Sequence, residues 1–125
     1  MSQADDLQAR TDAFADLSIR FLQGLPDTPI VRRLASQYQD ASTSTAANYH
    51  AARRARPHAE FTAKMGIVSE EADESVFWLI RMRNAKVASA TVDLAPILTE
   101  AEELARIFGA AHRTALRKKR RNNDR

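Results

Sequence analysis

The chain has 125 residues and a formal net charge of +3, and 44% of its residues are hydrophobic while 28% are charged. This length fits a single domain, this balance excludes an intrinsically disordered chain, and the absence of cysteine excludes disulfides and thiolate metal sites. Because the N-terminal residues are acidic where a signal peptide would be basic, and no apolar run approaches the roughly 18 residues of a membrane span, we expect a cytoplasmic protein without a membrane partner.

The first predicted helix covers residues 4–25. Its apolar residues recur at spacings of three, four and seven, which is the period of one helical face: Leu7, Phe14, Leu17, Phe21 and Leu25. Pro26 and Pro29 follow closely and end the helix, because proline cannot continue the backbone hydrogen-bond pattern.

The second predicted helix covers residues 28–56, with Thr28 as its N-cap and Pro29 at the first helical position. Its inward face consists of Ile30, Leu34, Tyr38, Ala41, Thr45, Asn48 and Ala52, flanked by Val31, Ala35, Ala46 and Tyr49. Residues 42–47 are small and mostly weak helix formers. They predict a close crossing with a neighbouring helix or, as the alternative, a local break.

Pro57 separates the second helix from the third predicted helix, which covers residues 58–87. One face of this helix consists of Phe61, Met65, Val68, Ala72, Val76, Leu79 and Ile80. Further apolar residues lie on its other faces: Ile67, Phe77, Trp78 and Met82. This apolar surface is wider than contact with two neighbouring helices requires, so it predicts contact with a partner subunit.

The segment 89–96 is the last predicted break, and the fourth predicted helix starts within it at about residue 94 and runs to about residue 119. Thr91 or Asp93 is expected to cap this helix, with Pro96 in its first turn. The inward face consists of Leu94, Ile97, Leu98, Ala101, Leu104, Phe108, Ala111 and Leu116. Residues 122–125 are expected to be frayed.

Four helices with short connections, and no strand signals, predict an all-α fold, an antiparallel up-down-up-down four-helix bundle. We expect the bundle to cover residues 1–116 and a basic C-terminal tail to cover residues 117–125. The charge distribution supports this division, because residues 113–125 hold seven basic and one acidic side chain, whereas residues 1–112 hold 12 basic and 15 acidic ones.

Six cations at the end of the fourth helix are the candidate nucleic-acid contacts: Arg113, Arg117, Lys118, Lys119, Arg120 and Arg121. Clustered cations bind phosphate backbones by releasing counterions, without recognising the base sequence. The alternative is a solvated helix end whose cations match the helix dipole. Few aromatic residues are interleaved with these cations, so the pattern does not support base stacking.

The motifs of catalysis and metal binding are absent from the sequence. Di-metal sites in helical bundles use a Glu-x-x-His motif. Three positions before His50, His58 and His112 stand Ala47, Ala55 and Gly109. Neither a nucleophile elbow nor a phosphate-binding glycine loop is present. We therefore expect no metal, no cofactor and no catalytic residue.

Several polar residues of the second and third helices are expected to serve structure: Gln37, Asn48, Arg53, Arg54, Glu70, Glu71 and Glu74. Asn48 lies on the apolar face, where a hydrogen bond would set the register of the helices, the alternative being ligand binding. The acidic cluster, which includes Asp73, is expected to pair with the arginines at positions 53–56 on a neighbouring helix or subunit. The alternative for this cluster is general acid–base catalysis.

Ala47 and Asn48, together with the stretch 59–74, resemble the four helix bundle protein family, also known as the rRNA intervening-sequence protein family. The resemblance covers roughly residues 17–80, and Gln37 matches the family's usual glutamine. Where many members have Asn-Ile-Ala-Glu-Gly, this chain continues after Asn48 with Tyr, His, Ala and Ala. A role carried by that glutamate or glycine therefore does not transfer to this chain.

The resemblance implies an antiparallel four-helix bundle that assembles as a homopentamer and has no enzymatic activity. Some members of the family are encoded inside rRNA genes. A structurally similar relative, the accessory variability determinant of diversity-generating retroelements, binds nucleic acid and a reverse transcriptase through a basic pentameric surface.

Three functional hypotheses follow from the residues and the resemblance. The leading one is an oligomeric, non-catalytic bundle that binds RNA, DNA or a nucleic-acid-processing protein weakly and without sequence preference. The second is a purely structural or protein-interaction module in which the tail has no role. The third, an enzyme with an unrecognised pocket, is the least favoured because the catalytic motifs are absent.

Overall fold

A computed structural model describes residues 2–88 and 92–123 of the chain. These residues form four α-helices, which are α1 (Gln3–Gln23), α2 (Pro29–Arg54), α3 (His58–Asn84) and α4 (Ala95–Asn123). Within these two ranges no residue is in a β-strand. The predicted all-α class is confirmed, and the helix boundaries lie within about four residues of the predicted ones.

The first two helices begin at side-chain caps. Ser2 and Asp5 form a reciprocal capping box, in which the Asp5 amide donates to Ser2 Oγ at 3.0 Å. In α2, the Val31 amide donates to Thr28 Oγ1 at 3.3 Å, and Pro29 occupies the first helical position. The predicted cap at Thr28 is therefore confirmed.

The serine- and threonine-rich middle of α2 is continuous helix, so the alternative of a local break is wrong. Thr43 Oγ1 donates to the carbonyl of Gln39, and Thr45 Oγ1 donates to the carbonyl of Ala41, both at 2.7 Å. These bonds satisfy the hydroxyls within the helix, and tertiary packing overrides the weak propensity because Ala41, Thr45 and their small neighbours are buried.

α4 is longer than predicted, and residues 117–123 continue it as helix. The expected fraying of Asn122 and Asn123 is therefore wrong. Lysine and arginine are good helix formers, and cations are favourable near the negative C-terminal end of the helix dipole. At the other end of α4, the Ala95 amide donates to Asp93 Oδ1 at 3.0 Å. Thr91, the alternative cap, and residues 124–125 lie outside the described residues.

Consecutive helices pack against each other, and a smaller contact between α1 and α4 closes the bundle. At the end of α2, Arg53 Nη2 donates to Asp5 Oδ1 at the start of α1, at 2.8 Å. At the start of α3, His58 Nε2 donates to the carbonyl oxygen of Ala115 near the end of α4, at 3.1 Å. Each contact joins the start of one helix to the end of its neighbour, which confirms the antiparallel up-down-up-down arrangement.

The core runs along the bundle axis between the four helices. Its fully buried large side chains are Tyr38, Met65, Val68, Leu79, Met82, Leu104 and Phe108. Met82 is thus a core residue, although the sequence placed it on an outer face of α3. Ile67 and Phe77 are 47% and 48% exposed, and both lie on the outer side of the same helix. Over the described residues, no helix is long and apolar enough to span a bilayer.

Three apolar residues expected in the core point outward instead: Leu17, Ile30 and Leu116. In each case the adjacent residue is buried in its place: Ser18, Val31 and Ala115. Ser18 is held inside by a hydrogen bond to Tyr38, with 2.7 Å between the two hydroxyl oxygens. The buried position is thus set by the fit to the neighbouring helix and not by hydrophobicity alone.

Candidate nucleic-acid interface

One end of the bundle carries cations from two separate parts of the chain. The first part is the end of α2 with the α2–α3 turn, residues 53–58, and the second is the last part of α4, residues 113–123. The hydrogen bond from His58 to the Ala115 carbonyl holds these two segments together. We call this surface the basic end.

The candidate residues on α4 are mostly exposed. Five of the six side chains are exposed, namely Arg113, Arg117, Lys118, Arg120 and Arg121, whereas Lys119 is half-buried. Helix geometry spreads these cations around more than one face, because only residues three or four apart lie on the same side. Residues 117–123 of the predicted tail are therefore the last part of α4, and their cations lie on several sides of that helix.

An open groove separates the start of α3 from the end of α4 at the basic end. It is lined by His58, Lys118, Arg121 and Asn122. The ring of His58 also packs beside Phe61, with 5.8 Å between the ring centroids. Two cations of the α4 segment therefore lie in a concave surface and not on an isolated rod.

Within the described residues of the chain, the arginines at positions 53–56 do not pair with the acidic cluster of α3, so the expected pairing between neighbouring helices is wrong, whereas pairing between subunits stays a prediction. Arg53 donates instead to Asp5 at 2.8 Å and to Gln8 at 2.9 Å on α1. Residues 70–74 lie 12 to 16 residues after the start of α3, which is roughly 18 to 24 Å along the helix at 1.5 Å per residue. Arg53 lies in the last turn of α2, close to the start of α3, and therefore far from these acids. Within the described ranges, Arg54 and Arg56 are exposed and form no ion pair.

In the acidic cluster, Glu71 is the member that turns toward α2. Asn48 Nδ2 donates to Glu71 Oε1 across the α2–α3 contact. Burial raises the pKa of the Glu71 carboxyl, the charges of Glu74 and Glu70 add to this, and the hydrogen bond from Asn48 opposes it. This is an inter-helix hydrogen bond of the kind expected for Asn48, and its role in setting register stays a prediction.

The remaining members of the cluster, Glu70, Asp73 and Glu74, are exposed, as is Gln37 on α2. General acid–base catalysis needs proton-transfer groups placed around a bound substrate. The groove nearest to this cluster is lined by Asp73, Val76, Glu102, Ala105 and Arg106, and it is open and shallow. Across residues 2–88 and 92–123, no three histidine, aspartate or glutamate side chains are grouped so that they could hold a metal ion.

Three polar links between helices were not predictable from the sequence. His50 Nε2 lies 2.8 Å from Asp12 Oδ1, between α2 and α1. Arg10 donates from Nε and Nη2 to the two carboxylate oxygens of Glu100, at 2.9 and 2.6 Å, between α1 and α4. The third link is the Ser18–Tyr38 hydrogen bond. No local motif indicates such pairs, because they depend on the register between helices.

Comparison with known proteins supports the fold. No family model matches the chain, and no curated protein sequence matches it. The structure is similar to the crystal structure of a protein of unknown function from the S23 ribosomal protein family of Bacteroides thetaiotaomicron, with a TM-score of 0.75 and 18% sequence identity. The match covers 90% of this chain and 99% of that chain. At this identity the likeness shows the shared four-helix fold and carries no function.

Proposed function

We propose that this protein is a non-catalytic, homo-oligomeric helical bundle of the cytoplasm that binds the phosphate backbone of RNA or DNA at its basic end, without sequence preference. The observation that supports this most directly is the meeting of the 53–58 segment with the end of α4. Two cationic segments that are more than 50 residues apart in sequence contribute to one surface. Such a surface attracts polyanions through counterion release.

The dipole-matching alternative accounts for part of this pattern. The basic end holds the C-termini of α2 and α4, where cations are favourable whatever the protein binds. It does not account for the groove, because a cation that only offsets a helix dipole has no need of a concave partner surface. Arg54 and Arg56 also remain exposed and without ion pairs in the described residues, so they are available to a phosphate.

We further propose that the chain assembles through the outer face of α3. Ile67 and Phe77 are about half exposed there, Phe77 and Trp78 meet edge to face at 5.0 Å, and the Arg81 guanidinium lies 4.8 Å from the centre of the Phe77 ring. Because residues 17–80 resemble the four helix bundle protein family, we also propose that the chain belongs to that family and assembles as a pentamer. Several basic ends in one particle would strengthen weak nucleic-acid binding by avidity.

The test is binding of labelled RNA and duplex DNA by the full-length protein between about 50 and 200 mM salt. A variant with Arg54→Gln, Arg56→Gln and Arg117→Gln is expected to bind both more weakly, with a salt slope reduced by roughly one unit for each phosphate that is no longer neutralised. The matched control, Arg20→Gln, Arg33→Gln and Arg83→Gln, removes three exposed cations at the opposite end of the bundle and is expected to bind like the unmodified protein.

Equal losses of affinity in the two variants would contradict a site at the basic end, and absence of binding by the unmodified protein would contradict the nucleic-acid function. The second candidate, a structural or protein-interaction module, would then remain. The exposed side chains of Ile67 and Phe77 on α3 favour it, because exposed large apolar surface is typical of protein contacts. Its partner would be a nucleic-acid-processing protein or further copies of this chain, recovered by pull-down from cells.

A further inference from the structure

We propose that the groove between the start of α3 and the end of α4 is a binding site for a single phosphate group, formed by His58, Lys118 and Arg121. This inference rests on the proposed function and makes it specific. The remaining cations of the basic end would attract a nucleic acid by their general field. The groove would hold one phosphodiester of the backbone and so position the strand on the protein.

The side chains that line the groove supply complementary kinds of donor. Lys118 and Arg121 are three residues apart on α4, so their side chains share one side of the helix. The Arg121 guanidinium can donate two parallel hydrogen bonds to phosphate oxygens, while the Lys118 ammonium acts as a compact point charge. Asn122 adds a neutral amide at the rim of the groove. Lys118, Arg121 and Asn122 can each donate to an anion.

The hydrogen bond of His58 determines what its ring offers to the groove. A carbonyl oxygen only accepts, so the Nε2 atom that bonds to Ala115 at 3.1 Å carries a hydrogen. That hydrogen is used by the Ala115 carbonyl, so His58 forms the α3 side of the groove, while Lys118 and Arg121 supply its charge.

The charges around the ring favour an anion as the ligand of the groove. Lys118 and Arg121 contribute positive charge from α4, and Arg54 and Arg56 contribute it from the turn that precedes α3. Glu60, in the first turn of α3, is an acidic residue at the same end of the bundle. Because the cations in these segments outnumber the acids, the groove disfavours cationic ligands.

Two double variants of the full-length protein separate a discrete groove from general attraction. Lys118→Gln with Arg121→Gln removes the two cations that line the groove. Arg117→Gln with Arg120→Gln removes the same charge from exposed positions on the same helix that do not line it. The probe is a short fluorescently labelled single-stranded RNA, its affinity measured by anisotropy, with circular dichroism melts to show that each variant is folded.

We expect the groove variant to lose roughly tenfold in affinity and the matched variant about twofold, because directed hydrogen bonds to a phosphate add to the general electrostatic attraction. Equal losses would overturn the groove while leaving nucleic-acid binding at the basic end intact. If the unmodified protein binds no RNA, the proposed function itself fails, and the two failures are thus distinguishable.

The source of the phosphate is tested with three ligands. They are inorganic phosphate alone, an RNA with a 5′-phosphate, and the same RNA with a 5′-hydroxyl. We expect the two RNAs to bind equally well, and inorganic phosphate to shift the NMR signals of the His58 ring more weakly. Binding of the 5′-phosphorylated RNA alone would assign the groove to a terminal phosphate and overturn its role for an internal phosphodiester.

Discussion

The hydrogen bond between Ser18 and Tyr38 lies in the core, where both residues are fully buried. Burial raises the pKa of the Tyr38 phenol, with the bond to Ser18 opposing the shift. Tyr38→Phe leaves the Ser18 hydroxyl without this partner. We expect a decrease of about 1 to 3 kcal/mol in the free energy of unfolding, measured by urea denaturation, because a buried polar group is left unsatisfied.

The control for this prediction is a double variant, Ser18→Ala with Tyr38→Phe. Removal of both partners leaves no unpaired hydroxyl, so we expect it to be more stable than Tyr38→Phe alone. Additive losses in the double-mutant cycle would show instead that the hydroxyls do not stabilise each other.

Glu71 gives the fold a specific pH dependence. Because burial raises its pKa above the ordinary value of 4.5, the folded chain holds this proton more tightly than the unfolded chain does. Stability therefore falls as the pH rises from about 4.5 through the raised pKa, and it is constant with respect to this group at higher pH. Glu71→Gln keeps an acceptor for Asn48 but cannot ionise, so this decline should disappear.

Urea denaturation from about pH 4 to pH 8 measures the effect, as the difference in unfolding free energy between Glu71→Gln and the unmodified protein. We expect Glu71→Gln to become more stable relative to the unmodified protein as the pH rises from about 4.5 through the raised pKa of Glu71. Glu74→Gln is the control, because Glu74 is exposed and acts on Glu71 only through its charge. A constant difference across the pH range would show that Glu71 ionises equally easily in the folded and unfolded chains.

Individual residues also show where sequence reasoning reaches its limit. The cations of α4 were predictable as a cluster, since they are adjacent in sequence. The predicted up-down-up-down order also places the ends of α2 and α4 at one end of the bundle, but the groove between His58, Lys118 and Arg121 was not predictable, because it depends on how α3 and α4 pack side by side. Likewise the acids of α3 were recognisable as a group, but nothing in the sequence showed that Glu71 alone would turn toward Asn48.

At the scale of the helix, two glycines occupy different environments. A Cβ built on Gly66 in α3 would lie 3.0 Å from His112 Nε2, whereas one built on Gly109 in α4 would have its nearest contact at 3.4 Å, with Arg113. Alanine is favoured over glycine inside a helix by roughly 0.5 to 1 kcal/mol. We expect Gly109→Ala to gain about this amount in unfolding free energy.

Gly66→Ala is expected to gain clearly less or to lose stability, because the His112 ring would have to move by a few tenths of an ångström against a packed helix contact. Thermal or urea denaturation of the two variants, compared under one buffer condition, tests the difference. Equal gains at both positions would show that the ring of His112 moves aside without cost.

Helix boundaries were predictable where a residue with a fixed backbone preference is present. Thr28 with Pro29 and the stop at Pro57 are examples, since they act through local geometry alone. The inward position was not predictable where two neighbours compete for it. Leu17 is exposed beside the buried Ser18, because a small side chain with a hydrogen-bond partner fits the α1–α2 contact. Periodicity locates a face to within about one residue, and packing decides the rest.

For the whole molecule, the remaining question is what covers the exposed side chains of Ile67 and Phe77 on α3. Each side chain is about half exposed, and burying the rest in a subunit contact would stabilise an oligomer by roughly 1 kcal/mol per side chain. We therefore expect Ile67→Gln with Phe77→Gln to shift the mass measured by light scattering from an oligomer toward the 14.0 kDa of one chain.

The matched control removes exposed apolar surface elsewhere, with Leu17→Gln and Ile19→Gln on α1, which are 39% and 38% exposed. If α3 provides the interface, this second variant keeps the oligomeric mass. A mass of 14.0 kDa for the unmodified protein at all concentrations would contradict the oligomer proposal.

Nucleic-acid affinity should also depend on the oligomeric state, because a single basic end binds without the gain from linked sites. The α3 variant is therefore expected to bind RNA more weakly, although every cation is retained.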